Sequence, residues 1–358
     1  MTTSTASAQP KSYFEDDAEV LRPMISSADR VGLAELGQRL VDIRAFMQDD
    51  LNQLESDIGD TWTELRTRSD RAARHILSLP GKRIRPLCVL LAARMNGLPM
   101  TPAIRSVSLA CELVHAATLL HDDVLDQGTE RRGLTTARLL FGNSASVLGG
   151  DHLLVNALRR VNLSTSSEIT QSLLDCIAVM VEAEAIQLDR RGVFEPSREV
   201  YHEVIYGKTA SIFEWGMGSG AQLAGASDEI SEAMATVGRK IGMAFQVVDD
   251  VLDLSVDAET LGKNEWADLK EGKLTWPLII ACERDPGLLE AFREVVEGDL
   301  EPTQALRERV LATGCVEEAR KYARSLGDDA KAALAKCPGG QARDALEAVI
   351  ETVVRRGS

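Results

Sequence analysis

The sequence predicts an all-α protein built as a single large helical bundle, and three observations carry that prediction. Apolar residues recur at three- and four-residue steps along most of the chain, the period of one helix face. No run alternates convincingly between apolar and polar residues with turn residues at both ends, as a half-buried strand would. No composition shift marks a boundary between two domains, although 358 residues could hold two.

Taken in order, residues 1–30 read as a disordered tail. MTTSTASAQPKS is small and polar, and an acidic cluster follows from Tyr13 to Glu19. The bundle is assigned to residues 31–358. Leu33, Leu36, Leu40, Ile43 and Met47 form the first periodic stripe. Cys111, Val114, Thr118 and Leu119 lead a long helix to Asp126. Further helices are expected over Ser172 to Asp189, Met234 to Leu254 and Ala342 to Val354. Breaks fall at Pro80-Gly81, Asn96-Gly97, Gly142-Asn143, Pro196, Gly262 to Asn264 and Pro338-Gly339-Gly340. Ten or more helices result.

Composition excludes several classes. With 40 Lys and Arg against 55 Asp and Glu, the net charge is −15. Nucleic-acid binding needs a basic face to displace counterions, so no nucleic-acid partner is expected. No apolar run looks long enough to cross a bilayer. The six cysteines are scattered with no CxxC pair, which predicts buried free thiols in a cytoplasmic protein. Five histidines without an HExxH pattern argue against zinc.

The most informative feature is a repeat. Asp-Asp-Val-Leu-Asp occurs at Asp122 to Asp126 and again at Asp249 to Asp253. Three other Asp-Asp pairs (at 16, 49 and 328) lack the third Asp and sit in polar surroundings, so they read as solvated acids. The two full copies each end an apolar helical stretch. On a helix, residues i and i+4 share a face, so Asp122 projects with Asp126 and Asp249 with Asp253. Carboxylates crowded at an apolar mouth repel unless a cation sits between them. Hard oxygen ligands at this spacing suit Mg²⁺ carrying substrate phosphates.

Basic residues accompany the acids. GKRIRP opens a helix at 81–86, Arg131-Arg132-Gly133 follows the first repeat, and Lys208-Thr209, Gly262-Lys263 and Gly272-Lys273 come later. A metal-bridged diphosphate site accounts for both sets of charges.

With these motifs in view, the sequence resembles the trans-type polyprenyl (isoprenyl) diphosphate synthases. GKRIRP at 81–86, LLHDDVLDQGTERRG at 119–133, Gly-Asp at 150–151, GKTAS at 207–211, FQVVDDVLD at 245–253 and LGKNEWADLKEGKLTWP at 261–277 stand in family order. The resemblance implies an isoprenoid synthase fold, with helices around a central apolar cavity. It implies a homodimer and a Mg²⁺-dependent prenyltransferase that condenses isopentenyl diphosphate with an allylic diphosphate. The allylic substrate ionises, the isopentenyl double bond attacks, and a proton leaves.

By the same resemblance, Asp122 and Asp126 hold two Mg²⁺ ions and Asp249 a third. Asp123, Asp250 and Asp253 complete their shells through water or by orienting ligands. Arg131, Lys208 and Lys263 resemble allylic diphosphate ligands. Gly81, Lys82, Arg85, His115 and Arg132 resemble the isopentenyl diphosphate pocket. Lys208, Thr209 and Gln246 resemble the catalytic groups that stabilise the carbocation. Departures are Pro80, Asn264 and Trp266, where the family usually has Gly, Pro and Gly; Trp266 leaves the loop shape open.

Chain length follows from the channel floor. Short-chain members often carry aromatics four or five residues before the first Asp pair; here Thr118 and Ala117 are small. With the compact DDVLD, they favour a product longer than geranylgeranyl diphosphate. The alternatives are a geranylgeranyl or farnesyl diphosphate synthase, a class I terpene cyclase, or a non-catalytic family subunit. A cyclase leaves the second repeat and GKRIRP unexplained.

Overall fold

In the computed structural model the described residues are 34–61, 65–79, 81–255, 266–298 and 303–356. The expected N-terminal tail and Lys263 lie outside them. Helices follow one another as α1 (Ala34–Phe46), α2 (Gln48–Gly59), α3 (Arg68–Ser78), α4 (Ile84–Arg94) and α5 (Pro102–Leu125). After a two-stranded hairpin come α6 (Ala137–Phe141), α7 (Asn143–Ser164), α8 (Ser167–Asp189) and α9 (Arg198–Ile205). A π-helical turn (Tyr206–Ala210) then leads into α10 (Ser211–Leu223) and α11 (Asp228–Ser255). The remainder is α12 (Ala267–Lys270), α13 (Trp276–Arg284), α14 (Leu288–Glu297), α15 (Gln304–Ala312), α16 (Cys315–Leu334) and α17 (Gln341–Arg355).

Local chemistry sets many of these starts. Thr67 and Asp70 form a capping box at α3. Thr101 caps α5 with Pro102 just inside it, and Ser166, Ser197 and Thr303 cap α8, α9 and α15. α5 runs through the middle, against α7 on one side and α4 on another, while α10, α11 and α16 pack in succession. Burial on several sides explains why α5 is apolar nearly all round.

That helix corrects the sequence reading on membrane spans. Its length and mean hydropathy of 1.4 would let it cross a bilayer, yet 67% of that window is buried inside the protein. It is long and apolar because it is the core. Two further expectations change. Glu130–Arg131 pairs antiparallel with Leu134–Thr135, a ladder too short to show alternation in sequence. Asp50, read as a solvated acid, accepts from Arg94 at 2.7 and 3.1 Å and its side chain is only 11% exposed. All six cysteines are buried and unpaired, as expected.

Candidate active site

α5 delivers the first aspartate repeat and α11 the second. Successive helix residues turn by about 100°, so the second Asp of each pair points elsewhere than the first and fifth. Asp122 and Asp126 line one cleft of about 280 Å³, together with Lys208, Thr209, Gln246, Asp250, Tyr201 and Lys273. Asp249 and Asp253 do not line it, nor do Arg85 and His115.

The first repeat is crowded with charge. Lys208 Nζ lies 2.5 Å from Glu184, 3.4 Å from Asp122 and 3.0 Å from Gln187. Burial pushes the Asp122 carboxyl up, Lys208 opposes that, and Glu184 and Asp126 reinforce it. Asp126 is buried too, but Lys273, at 3.3 Å, and Arg191 hold its carboxyl below the usual range. Glu184 Oε1 is buried with no hydrogen-bond partner. Three acids around one lysine, with an acceptor left over, make an acid-rich mouth that attracts cations, although among the described residues no three acids stand close enough to enclose a metal ion.

Asp123 is 1% exposed, and its Oδ1 takes both Nε (2.9 Å) and Nη2 (2.7 Å) of Arg131. Asp250 is 3% exposed. Its Oδ2 accepts from the Tyr201 hydroxyl at 2.6 Å and the Trp276 backbone N–H at 3.3 Å; its Oδ1 accepts from Gln246 Nε2 at 2.9 Å. Burial pushes this carboxyl up and Asp268 adds to the shift, while the three donors oppose it and favour the ionised form. Both second aspartates therefore hold other residues in place. Asp249 remains 42% exposed and pairs with Arg356, which also lies over the Phe245 ring at 4.2 Å.

Lys208 and Thr209 lie in the π-helical turn, an irregularity common at functional sites. Thr209 Oγ1 donates to Gln246 Oε1 at 3.1 Å.

A second cluster gathers cations. Arg83, with a left-handed φ of 45°, is buried between Glu112 (2.5 Å), Glu55 (3.2 Å) and the Leu77 carbonyl (2.8 Å). This anchor fixes the turn carrying Lys82 and Arg85. Arg85 lies over Phe213 and Phe245 at 5.1 and 6.0 Å, its Nε buried and unpartnered. Arg132 reaches the cluster because the hairpin turns through two positive φ values, Arg132 at 55° and Gly133 at 77°. Its guanidinium crosses Gly81 so closely that a Cβ there would sit 2.9 Å from Nη1. Burial holds the His115 imidazole well below 6.5, and Arg85, Arg132, Arg131 and Arg83 deepen the shift. A neutral imidazole beside four arginines, of which Arg83 is buried and Arg132 exposed, is a cation-rich setting suited to an anion.

A sequence profile for the polyprenyl synthetase family matches residues 67–312. The chain belongs to the polyprenyl synthetase family. It is 37% identical over 288 residues to octaprenyl diphosphate synthase of Escherichia coli, covering 79% of this chain and 88% of that protein. It is 30% identical over 302 residues to nonaprenyl diphosphate synthase of Mycobacterium tuberculosis, covering 82% and 89%. Among solved structures, the polyprenyl synthase of Caulobacter crescentus, complexed with calcium and isoprenyl diphosphate, superposes with a TM-score of 0.81 at 35% identity, covering 88% of this chain and 97% of that one. A decaprenyl diphosphate synthase from Rhodobacter capsulatus gives 0.82 at 31%, covering 88% and 99%. The all-α expectation is thus borne out as the fold of polyprenyl synthetases.

In this polyprenyl synthetase, sequence reasoning missed Glu184, Gln187, Arg191, Arg356 and Tyr201. Glu184 and Gln187 carried a faint signal: polar residues three apart, on one face, in the apolar C-terminal half of α8. Trp266, where the family usually has Gly, is itself packed into the core. It is 3% exposed, adopts φ 61°, and meets Phe292 edge-on at 6.2 Å. Ala117 is fully buried in the core cluster of α5, α7 and α8; the Thr118 hydroxyl donates to the His115 carbonyl at 2.8 Å.

Proposed function

We propose that this protein condenses isopentenyl diphosphate with an allylic diphosphate, in the presence of Mg²⁺, into a trans-polyprenyl diphosphate longer than geranylgeranyl. The observation that carries the reading is the pairing of two unlike anion sites. One is an acid-rich cleft at Asp122 and Asp126; the other is a metal-independent cation pocket at Lys82, Arg85 and Arg132. An ionising diphosphate needs the first, and a diphosphate that stays intact needs the second.

Asp122, Asp126 and Asp249 hold Mg²⁺, which when bound draws charge from the departing diphosphate. Lys208 steadies that diphosphate from the opposite wall, with Arg131 and Lys263 as further ligands. Arg85, Lys82 and Arg132 bind isopentenyl diphosphate, while neutral His115 donates a hydrogen bond without adding charge. Thr209, held by Gln246, turns its oxygen toward the carbocation.

Long-chain relatives support the product class, as do small Ala117 and Thr118 below the first repeat. A homodimer is part of the proposal. Leu174, Val181 and Leu188 lie at seven-residue steps on α8 and are 43%, 64% and 45% exposed. On α7, Leu148 and Val155 show the same spacing at 57% and 51%. Two such stripes suit a second copy of the chain. A cytoplasmic setting agrees with six free thiols.

The test is incubation with radiolabelled isopentenyl diphosphate, farnesyl diphosphate and Mg²⁺. Label in an acid-labile diphosphate supports the synthase. A cyclic hydrocarbon without label would instead establish a terpene cyclase.

A further inference from the structure

We propose that Tyr201 and Asp250 are positioning residues that set the amide orientation of Gln246, and through it the direction in which Thr209 presents its oxygen. The inference rests on the prenyl-transfer reading above. It removes Asp250 from the metal-binding set and adds Tyr201, from α9, to the residues that control the carbocation.

The geometry runs in one line from α9 to the π-helical turn. Tyr201 Oη donates to Asp250 at 2.6 Å, Gln246 Nε2 donates to Asp250 at 2.9 Å, and Thr209 Oγ1 donates to Gln246 Oε1 at 3.1 Å. A carboxamide has a donor end and an acceptor end, and nothing in its shape chooses between them. Asp250 Oδ1 accepts from Gln246 Nε2 while the Tyr201 hydroxyl and the Trp276 N–H both donate to Oδ2, so Asp250 selects the donor end of Gln246. The oxygen end must then face Thr209. The threonine hydroxyl spends its single proton on that oxygen, which leaves its lone pairs facing the cleft. Every member of the line lines that cleft. Reversing the amide would point N–H and O–H dipoles, positive end first, at a developing cation.

Tyr201 keeps the line in register. Its ring stacks on Trp276 at 5.1 Å, and the Trp276 backbone N–H meets the same Asp250 oxygen at 3.3 Å. The carboxylate thus receives two donors on the side away from Gln246 and cannot rotate without losing both. Asp250 is 3% exposed and its two oxygens are engaged, in contrast to Asp249 at 42%. Because the phenol ring is held by stacking, Tyr201→Phe removes the hydroxyl and leaves the packing.

Two non-reacting ligands separate orientation from simple damage. One is a neutral allylic thiolodiphosphate. The other is its ammonium counterpart, with a fixed positive charge at the reacting carbon. Calorimetry with Mg²⁺ gives the ratio of their dissociation constants. Tyr201→Phe is expected to reduce the preference for the ammonium ligand about fivefold to tenfold. It should lower kcat by a similar factor, with KM for both diphosphates near wild type.

Asp250→Asn should cost more, because its N–H₂ end turns Gln246 around. Adding Gln246→Glu, which accepts at both ends, should restore much of the preference. Equal weakening of both ligands, an unchanged ratio in Tyr201→Phe, or a raised Mg²⁺ requirement in Asp250→Asn that Gln246→Glu leaves in place would overturn the proposal. Wild-type protein that neither elongates nor prefers the ammonium ligand would instead refute the underlying reading.

Discussion

Asp123 and Asp250 occupy the same place in the two aspartate repeats, and both side chains are buried, at 1% and 3% exposure. The helix explains the match. A residue one step along lies about 100° around the axis, so the second Asp faces a different side from the first and fifth. Each buried carboxylate grips a residue of the site: Arg131 from Asp123, Gln246 from Asp250. In each repeat, therefore, the second Asp holds a neighbour in place, while the first and fifth are the acids proposed to meet cations.

That division of labour predicts different defects within one motif. Asp122→Asn and Asp249→Asn should each lower turnover by about a hundredfold or more, and raise the Mg²⁺ concentration for half-maximal activity. Asp123→Asn should leave the Mg²⁺ requirement near wild type and raise KM for the allylic diphosphate, because it frees Arg131. Mg²⁺ titrations of initial rate distinguish the two classes.

A methyl group at Gly81 is predicted to act through Arg132, the flexible side chain it would meet. A Cβ would fall 2.9 Å from Arg132 Nη1, so Gly81→Ala must displace that guanidinium. KM for isopentenyl diphosphate should rise about tenfold, a cost within the ~1–3 kcal/mol of overpacking. KM for the allylic substrate should change little. Steady-state kinetics with each substrate varied in turn checks this.

The buried His115 makes a prediction about pH. Its folded value lies well below the ordinary 6.5. The unfolded chain therefore binds a proton that the folded chain refuses. Stability from this group is full above 6.5 and falls as pH drops below it, levelling off only below the depressed folded value. Urea unfolding at pH 7.5 and pH 5.5 should show a smaller acid loss in His115→Gln than in wild type. An equal loss in both would place the acid sensitivity elsewhere.

Much of this was legible in the chain itself, and the reasons for the remainder are physical. The helical period exposed the bundle, and verbatim repetition of DDVLD exposed the acidic mouth. The different facing of Asp123 and Asp250 was already implicit in helix geometry. Partners such as Arg191 on Asp126 and Arg356 on Asp249 were not, because they join residues 65 and 107 positions apart. Local pattern carries no record of such pairings. The hairpin bearing Arg131 was too short to alternate, and α5 resembled no membrane helix until its full length was seen as one element.

Chain length is predicted to answer to Ala117. It is fully buried between α5 and its neighbours, on the path proposed for the growing prenyl chain. Ala117→Phe should shift products toward shorter chains while single-addition rates stay near wild type. Thin-layer or mass analysis of the dephosphorylated alcohols shows the shift. An unchanged distribution would move the floor to α7, toward Leu154 and Leu158.

The most direct test of the central claim is mass analysis of products from the purified full chain with Mg²⁺, isopentenyl diphosphate and each allylic starter in turn. The prediction is a series of all-trans polyprenyl diphosphates ending beyond geranylgeranyl, absent without Mg²⁺ and absent in Asp122→Asn. Products ending at or before geranylgeranyl would contradict the long-chain claim, and the absence of any isopentenyl addition would contradict the account as a whole.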